Sequence, residues 1–544
     1  MSHRAKGRPE AKQPLGDFNV SRRMLVITAW AVPVGALSAV AAYLLLHLIG
    51  LTTNLVFYQR WSTRMVAPGA DHPWWLVLTA PVVGGLVVGL MARYGSERIR
   101  GHGMPEAIEA ILTGGSKVDP KVAALKPISA AVSIGTGGPF GAEGPIIMTG
   151  GAIGSILAQH VRLTADERKT LLVAGAAAGM AATFNTPLAA VLLAVELLLF
   201  EWRPRSLVPV TTAVVVAALL RLPMLGSSAI FPITHTVDQI PATATLLATV
   251  VGATGAVLAI AATWLVYQAE DAFRRLPVHW MWWPAIGGAI IGVGGLIEPR
   301  ALGVGYDVID TLLTGQATVG LIIGILIVKT LIWSLSLGSG TSGGVLAPMF
   351  MIGAALGAAE GLGLPHVFPG FWAMLGLAAV VGGVMRSPLT GVIFTLELTH
   401  AWVALLPLLV AAGVSYAISV LALRRSVLTE KIARRGLHLT RDYTTDPLET
   451  FFAADVMSTE PAARAEATRL LAADGLSVTE GDTLRHVAYE CARSATDRAV
   501  VVAADGTAVG VVTLADLLQA RLHDLTEDTQ RQRHLNLRRS ARDR

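Results

Sequence analysis

The stretch GTGGPFGAEGP, residues 135–145, places one carboxylate, Glu143, among glycines and prolines in a strongly apolar chain. A charged side chain at mid-bilayer costs about 2.5–3.5 kcal/mol on insertion scales, and irregular backbone is tolerated at that depth only where it lines a cavity. Such a segment is either an extramembrane loop or part of a pathway. Two other segments share its make-up: GHGMPEAIEAIL (101–112), a helical pattern opened by Gly and Pro, and GGVLAPMFMIG (343–353). A helix N-terminus carries unpaired N–H groups and roughly half a positive charge, which makes it an anion site. Pro145 and Pro348 suit the first turn of such helices, where a missing N–H costs nothing. Three helix starts of this kind point to anion binding with no Lys or Arg required inside the membrane. Glu143 is then an anion-like side chain competing for the positive site, a plug that protonation or an incoming anion displaces.

These motifs need elements to hold them. The 544 residues are 53% hydrophobic and 15% charged, with mean hydropathy +0.57, against about 25% charged in soluble domains. The chain therefore reads as a polytopic membrane protein to about residue 425 and as something else afterwards. Met24 to Leu51, Trp74 to Met91, Pro241 to Tyr267, Trp280 to Ile297 and Val319 to Leu337 reach or approach the ~20 residues a span needs. Leu171 to Phe184, Pro187 to Phe200 and Phe371 to Met385 are shorter, bounded or cut by Gly and Pro. Basic residues concentrate at Arg4 to Arg23, Arg424 to Arg441 and Arg531 to Arg544, which places both ends on the cytoplasmic side. The net charge of +5 is thus a membrane-topology signal, not a nucleic-acid one. The first apolar run starts too late and runs too long for a cleavable signal peptide, and the single Cys491 excludes an internal disulfide.

Broken apolar segments at matching places in two halves mark a binding site between repeats. FNTPLAAVLLAVEL (184–197) resembles MRSPLTGVIFTLEL (385–398), and GAEGPIIMTGGAIG (141–154) resembles GGVLAPMFMIGAALG (343–357). The offsets, 201 and 203 residues, agree over a long stretch. If each half crosses the membrane an odd number of times, the halves are inverted relative to one another.

GHGMP, GAEGP and GGVLAP, in this order and spacing, resemble the three anion-site signatures of the CLC chloride channels and transporters. AAAGMAATFNTPLAAVLLAVE and RSPLTGVIFTLELT are also close to that family's pattern, and the resemblance covers roughly residues 25 to 440. It implies an all-α polytopic membrane protein built from two inverted repeats of mostly short, tilted, broken helices, assembled as a homodimer with one pore per subunit. It implies that Glu143 is the gate, and that backbone amides at Gly103, Gly141, Ala142, Gly144, Val345 and Leu346 surround the anion. The family's usual Ser in the first motif is His102 here, its Phe in the third is Leu346, its Arg before the gate is Ala142, and its late Tyr falls at Leu428. His102 either donates to the anion or packs on a backbone carbonyl. Proton-coupled members usually carry an internal acid at the position of Leu197, which leaves only the neighbouring Glu196 here. Glu196 has a repeat counterpart in Glu397, so both read as structural, capping amides or facing the dimer seam. The expectation leans to a chloride channel or weakly coupled transporter, with the chloride/proton antiporter as the alternative. Lys126 and Lys329 read as snorkelling or paired, and Trp280, Trp282 and Trp283 as an interfacial belt.

From Asp455 the composition turns to a soluble α/β rhythm: a helical stretch, the strand RAVVVA, a DG turn, the strand AVGVVT and a helix. This resembles a single CBS module, which implies a cytoplasmic domain whose Thr513 and Asp516 are candidates for contact with an adenine nucleotide. No other cofactor and no metal is expected. The expected organisation is a basic tail (1–23), a membrane domain (24–440, repeats 24–221 and 241–440), a linker (441–454), the CBS-like domain (455–524) and a basic tail (525–544). A cell inner-membrane location is expected. A nucleotide-sensing divalent-cation transporter would need several intramembrane acids along a path, and these are few. No metal-ligand cluster or nucleophile–base arrangement stands out to support an enzyme.

Overall fold

Membrane-length apolar runs and Gly/Pro breaks divide the first part of the chain into many helices of unequal length. The computed structural model describes residues 22–113, 115–233, 237–435, 448 and 451–522, in two units, Met1–Thr440 and Arg441–Arg544. The N-terminal tail up to residue 21, most of the linker and the tail at 525–544 lie outside the described residues.

The first half of the large unit comprises α1 (Arg23–Tyr58), α2 (Trp74–Tyr94), α3 (Met104–Thr113), α4 (Pro120–Gly135), α5 (Glu143–Gln159), α6 (Ala165–Phe184), α7 (Pro187–Leu193, continued by a π-helical turn Ala194–Leu199) and α8 (Pro204–Leu225). The second comprises α9 (Ala242–Arg274), α10 (Trp283–Ile297), α11 (Tyr306–Leu313), α12 (Val319–Gly324), α13 (Thr330–Gly338), α14 (Leu346–Gly361), α15 (Phe371–Met385), α16 (Pro388–Thr399), α17 (Leu405–Ala422) and α18 (Val427–Arg434). Seven helical stretches among the described residues are long and apolar enough to cross a membrane. Two of them, Pro204–Leu225 and Trp402–Arg434, are not among the apolar runs picked out in the sequence. Pro209 and Pro223 lie inside α8 without ending it, and Pro407 falls in the first turn of α17.

The repeat reappears in the packing. At Gly150 a side chain would meet the carbonyl of Gly175, and at Gly175 the carbonyl of Gly150, so α5 and α6 cross backbone to backbone. Gly353 and Gly376 stand in the same reciprocal relation where α14 crosses α15. These pairs carry the same two sequence offsets. Lipid gives little hydrophobic drive between helices, so close approach at small residues carries the association.

Glu196 and Glu397 link the halves. Glu397 accepts from the amides of Leu188 (3.0 Å) and Ala189 (2.8 Å) at the start of α7. Glu196 accepts from Leu389 (3.3 Å) and Thr390 (2.9 Å) at the start of α16. Each carboxylate caps a helix whose first N–H groups have no partner within the helix. Glu397→Ala is expected to cost about 1–2 kcal/mol, the usual loss for a cap, read as a lower thermal midpoint in detergent. An unchanged midpoint would remove the capping role.

The small unit holds α19 (Ala453–Val456), α20 (Pro461–Ala472), β1 (Ser477–Thr479), α21 (Leu484–Ser494), β2 (Arg498–Val502) and β3 (Ala508–Thr513). The strands lie in the order β1-β2-β3, parallel then antiparallel. Helix α21 makes the crossover between the parallel pair, and Gly506, at φ +83°, closes the DG turn between β2 and β3. Leu484, Val487 and Cys491 pack with Val501 and Val512, while Ala467 packs with Val500 and Val511. The alternation of β2 and β3 thus feeds two small cores, one on each face of the sheet. Burial pushes the Cys491 thiol up from its ordinary value, a setting for an unreactive cysteine.

Candidate functional site

The three Gly/Pro motifs converge. The loop before α3 is bridged to the loop before α14 at Gly101 and Ser342, with the Gly101 amide donating to the Thr341 carbonyl at 3.0 Å. The loop before α5 is bridged to the same loop by Gly141 and Gly344, whose amides and carbonyls pair at 2.8 and 3.3 Å. Three helix N-termini therefore share one centre, with their dipoles' positive ends gathered together.

Glu143 lies in that centre, fully buried at the first position of α5. Its Oε1 accepts from the amide of Leu346 and from that of Ala347 at 3.2 Å. Its Oε2 is buried with no partner. The amides that meet the carboxylate are the first two of α14, which have no acceptor within the helix. The Val345 amide is not among them, because Val345 is the cap residue that precedes the helix. A Cβ at Gly141 or Gly344 would collide with the Glu143 carboxyl, so glycine at both positions makes its room.

The other sequence candidates fall around this point in different ways. His102 is 3% exposed, and its Nδ1 has no partner. It lines a cavity of about 540 Å³ together with Arg100, Tyr267, Lys431 and Arg434. The Gly103 amide, by contrast, is engaged: it donates to Glu106 Oε2 at 2.9 Å, so it is not free for an anion. The Gly141 amide is likewise committed to the Gly344 carbonyl. Ala142 precedes α5, and Gly144 is its second residue, where the N–H has no acceptor in the helix. Leu428 is buried in the first turn of α18, next to the Val427 carbonyl that takes the Tyr267 hydroxyl. Leu197 is fully buried in the π turn after α7 and offers no proton site, while Glu196 is spent on capping α16. Thr513 and Asp516 bond one another, with both the amide and the hydroxyl of Thr513 donating to Asp516 at 2.7 Å.

Residues that sequence reasoning left out, or gave another role, also shape the site. Glu106 also holds Lys431 at 2.7 Å and Arg435 at 3.3 Å, which ties α18 to the loop that carries His102. Lys126 is fully buried and donates to the Ile99 and Gly101 carbonyls at 2.8 and 2.7 Å, holding that loop from α4. Trp280 and Trp283 flank Arg100, at 4.4 and 5.7 Å from its guanidinium, so this tryptophan cluster also lines the cavity. Glu106 carried a signal, since it lies three residues after Gly103 in a helix-opening motif. The lysine contacts join segments far apart in sequence.

A carboxylate seated on helix N-termini occupies the place an inorganic anion would take, and a basic cavity next to it concentrates anions. Known proteins resemble this chain in sequence and in fold. The family described as "Voltage gated chloride channel" matches residues 84–420. The chain is 30% identical over 403 residues to the H(+)/Cl(-) exchange transporter ClcA of Salmonella arizonae, covering 68% of this chain and 83% of the relative. To the protein of the same name from Klebsiella pneumoniae it is 29% identical over 413 residues, covering 71% and 84%. The fold is similar to that of a slow cyanobacterial Cl-/H+ antiporter, with TM-score 0.65 and 24% identity over 77% of this chain and 99% of the other. It is also similar to a CLC-type fluoride/proton antiporter, with TM-score 0.63 and 20% identity over 74% and 97%. With its paired repeats, its carboxylate on converging helix ends and these matches, the chain belongs to the CLC family and is a multi-pass membrane protein for anion transport.

Proposed function

We propose that this protein exchanges chloride, or another small monovalent anion, for protons, and that Glu143 is both the gate and the proton carrier. The observation that carries the reading is the Glu143 carboxylate lying on the Leu346 and Ala347 amides. A carboxylate there blocks the anion. Protonation removes its charge and makes it a poorer acceptor, so an anion takes the amides and the proton travels with the side chain. His102, with a free ring nitrogen at the basic cavity, meets the anion on its way to the amides. The exchange transporters and antiporters among the similar proteins support the coupling.

A second reading, uncoupled conduction, is favoured by Leu197, an apolar residue where proton-coupled relatives usually carry an acid. The same proposal includes a homodimer in a bacterial inner membrane, with both termini cytoplasmic and the small unit as a CBS-like element. In that element Thr513 and Asp516, which the Thr513 hydroxyl bonds through one carboxylate oxygen only, are the proposed contacts for an adenine nucleotide.

The test is anion efflux from reconstituted vesicles with external pH recorded. A chloride gradient is expected to drive protons uphill. Chloride efflux without proton movement would replace exchange with conduction. Failure to move chloride, nitrate or fluoride would sink both readings.

A further inference from the structure

Tyr306 opens α11 directly after Gly303 and Gly305, which stand at φ +66° and +81°. Lys329 fixes that turn, donating from full burial to the Ala301 and Gly303 carbonyls at 2.9 and 2.7 Å. The Tyr306 ring packs edge-on against Phe184 and Phe231, at 6.3 and 5.9 Å between centroids. Phe184 in turn packs on Phe350 and Phe394, and Phe350 stands one turn into α14 from the Leu346 amide. An aromatic wall thus reaches from the head of α14 to Tyr306.

The phenol oxygen of Tyr306 is buried and has no hydrogen-bond partner. It lies within electrostatic reach of the Glu143 carboxylate, whose Oε2 is also buried and unpartnered. A buried phenol usually finds a partner, and leaving donor and acceptor both unmet is costly. Tyr306 also lines a cavity of about 110 Å³, with Thr53, Met65, Pro68 and Ile134 among its walls. Glu143 and Tyr306 therefore look like the two ends of a hydrogen bond that belongs to another pose of the side chain.

We propose that the Tyr306 hydroxyl receives the Glu143 carboxyl group when it leaves the Leu346 and Ala347 amides, and so holds the pathway open to anions. A tyrosine hydroxyl both donates and accepts, so it serves the carboxylate and the protonated acid alike. Tyr306 is a positioning residue in this scheme and acts only through Glu143. The inference rests on the gate reading above.

Chloride turnover is to be measured in vesicles for Tyr306→Phe, Glu143→Ala and the double variant. Tyr306→Phe keeps the ring and its packing and removes one oxygen, so its thermal midpoint is expected to stay within a degree or so of wild type. Turnover is expected to fall about ten- to a hundredfold, the weight of one lost hydrogen bond to a charged group. In the Glu143→Ala background the same change is expected to have no effect. Full activity of Tyr306→Phe beside an altered Glu143→Ala overturns the role of Tyr306 alone. An equal loss in both backgrounds also overturns it, since Tyr306 then acts on the anion or on the fold. A Glu143→Ala protein that behaves as wild type overturns the gate reading itself.

Discussion

Glu143→Gln is expected to keep chloride moving while proton movement stops. Glutamine has nearly the shape of glutamate but holds no exchangeable charge, so no proton is carried with the side chain. Its amide oxygen is also a weaker acceptor. A hydrogen bond to a charged group contributes about 1.5–3 kcal/mol, against about 1 kcal/mol for a neutral one. The side chain therefore competes less well with an anion for the Leu346 and Ala347 amides. Apparent chloride affinity is expected to rise about tenfold, a shift of about 1.4 kcal/mol, read by calorimetric titration in detergent. The proton-to-chloride ratio in vesicles is expected to fall to background. The pH response gives a further sign. In the wild type the anionic form is the plug, so turnover is expected to rise as pH falls and the carboxylate takes a proton. In Glu143→Gln that dependence is expected to vanish. Uphill proton transport by the glutamine variant would show that Glu143 is not the proton carrier.

Why Glu143 was legible, and its partners less so, follows from how each is encoded. A lone acid between glycines and prolines in an apolar stretch breaks a local rule, and such breaks are read from a few residues. The two repeats were legible for the same reason, because Gly, Pro and Glu recur at fixed offsets. The DG turn and the alternating strands of the small unit are likewise local signals. Which amides meet the carboxylate is set by where α14 begins, a boundary of one residue, and the Ala347 amide takes the place expected of Val345. That Gly103 gives its amide to Glu106 depends on a side-chain rotamer. Tyr306 is 163 positions from Glu143 in a chain whose halves interleave, so no spacing announces it. Lys126 and Lys329 were expected to snorkel or pair, and the structure instead buries both completely on backbone carbonyls. Hydropathy sees only the cost of an ammonium in an apolar segment. The need it meets lies in distant loops.

That need makes Lys126→Met and Lys329→Met the variants with the largest expected effect on stability. The loops at 99–101 and 301–303 turn sharply inside the protein, and their carbonyls are met by the lysine ammonium groups. Unsatisfied backbone polar groups are excluded from membrane interiors, so such loops persist only with a donor supplied to them. A buried lysine provides three N–H bonds on a long apolar stem, and here each bridges two carbonyls. The two lysines and their loops lie at equivalent positions of the repeats, so the device is used once in each half. Methionine keeps the stem and removes the donor. Each of the two carbonyls left unpaired costs about 1–3 kcal/mol, so either variant is expected to lose about 2–6 kcal/mol and several degrees of thermal midpoint in detergent. Loss of Lys126 is expected to weaken chloride binding as well, because its loop carries His102. Lys329 holds the turn before Tyr306, and its loss is expected to lower chloride turnover with binding affinity little changed. If both variants kept the wild-type midpoint, the carbonyls must find water in these loops, and the lysines would then be passengers of the repeat and not its clamps.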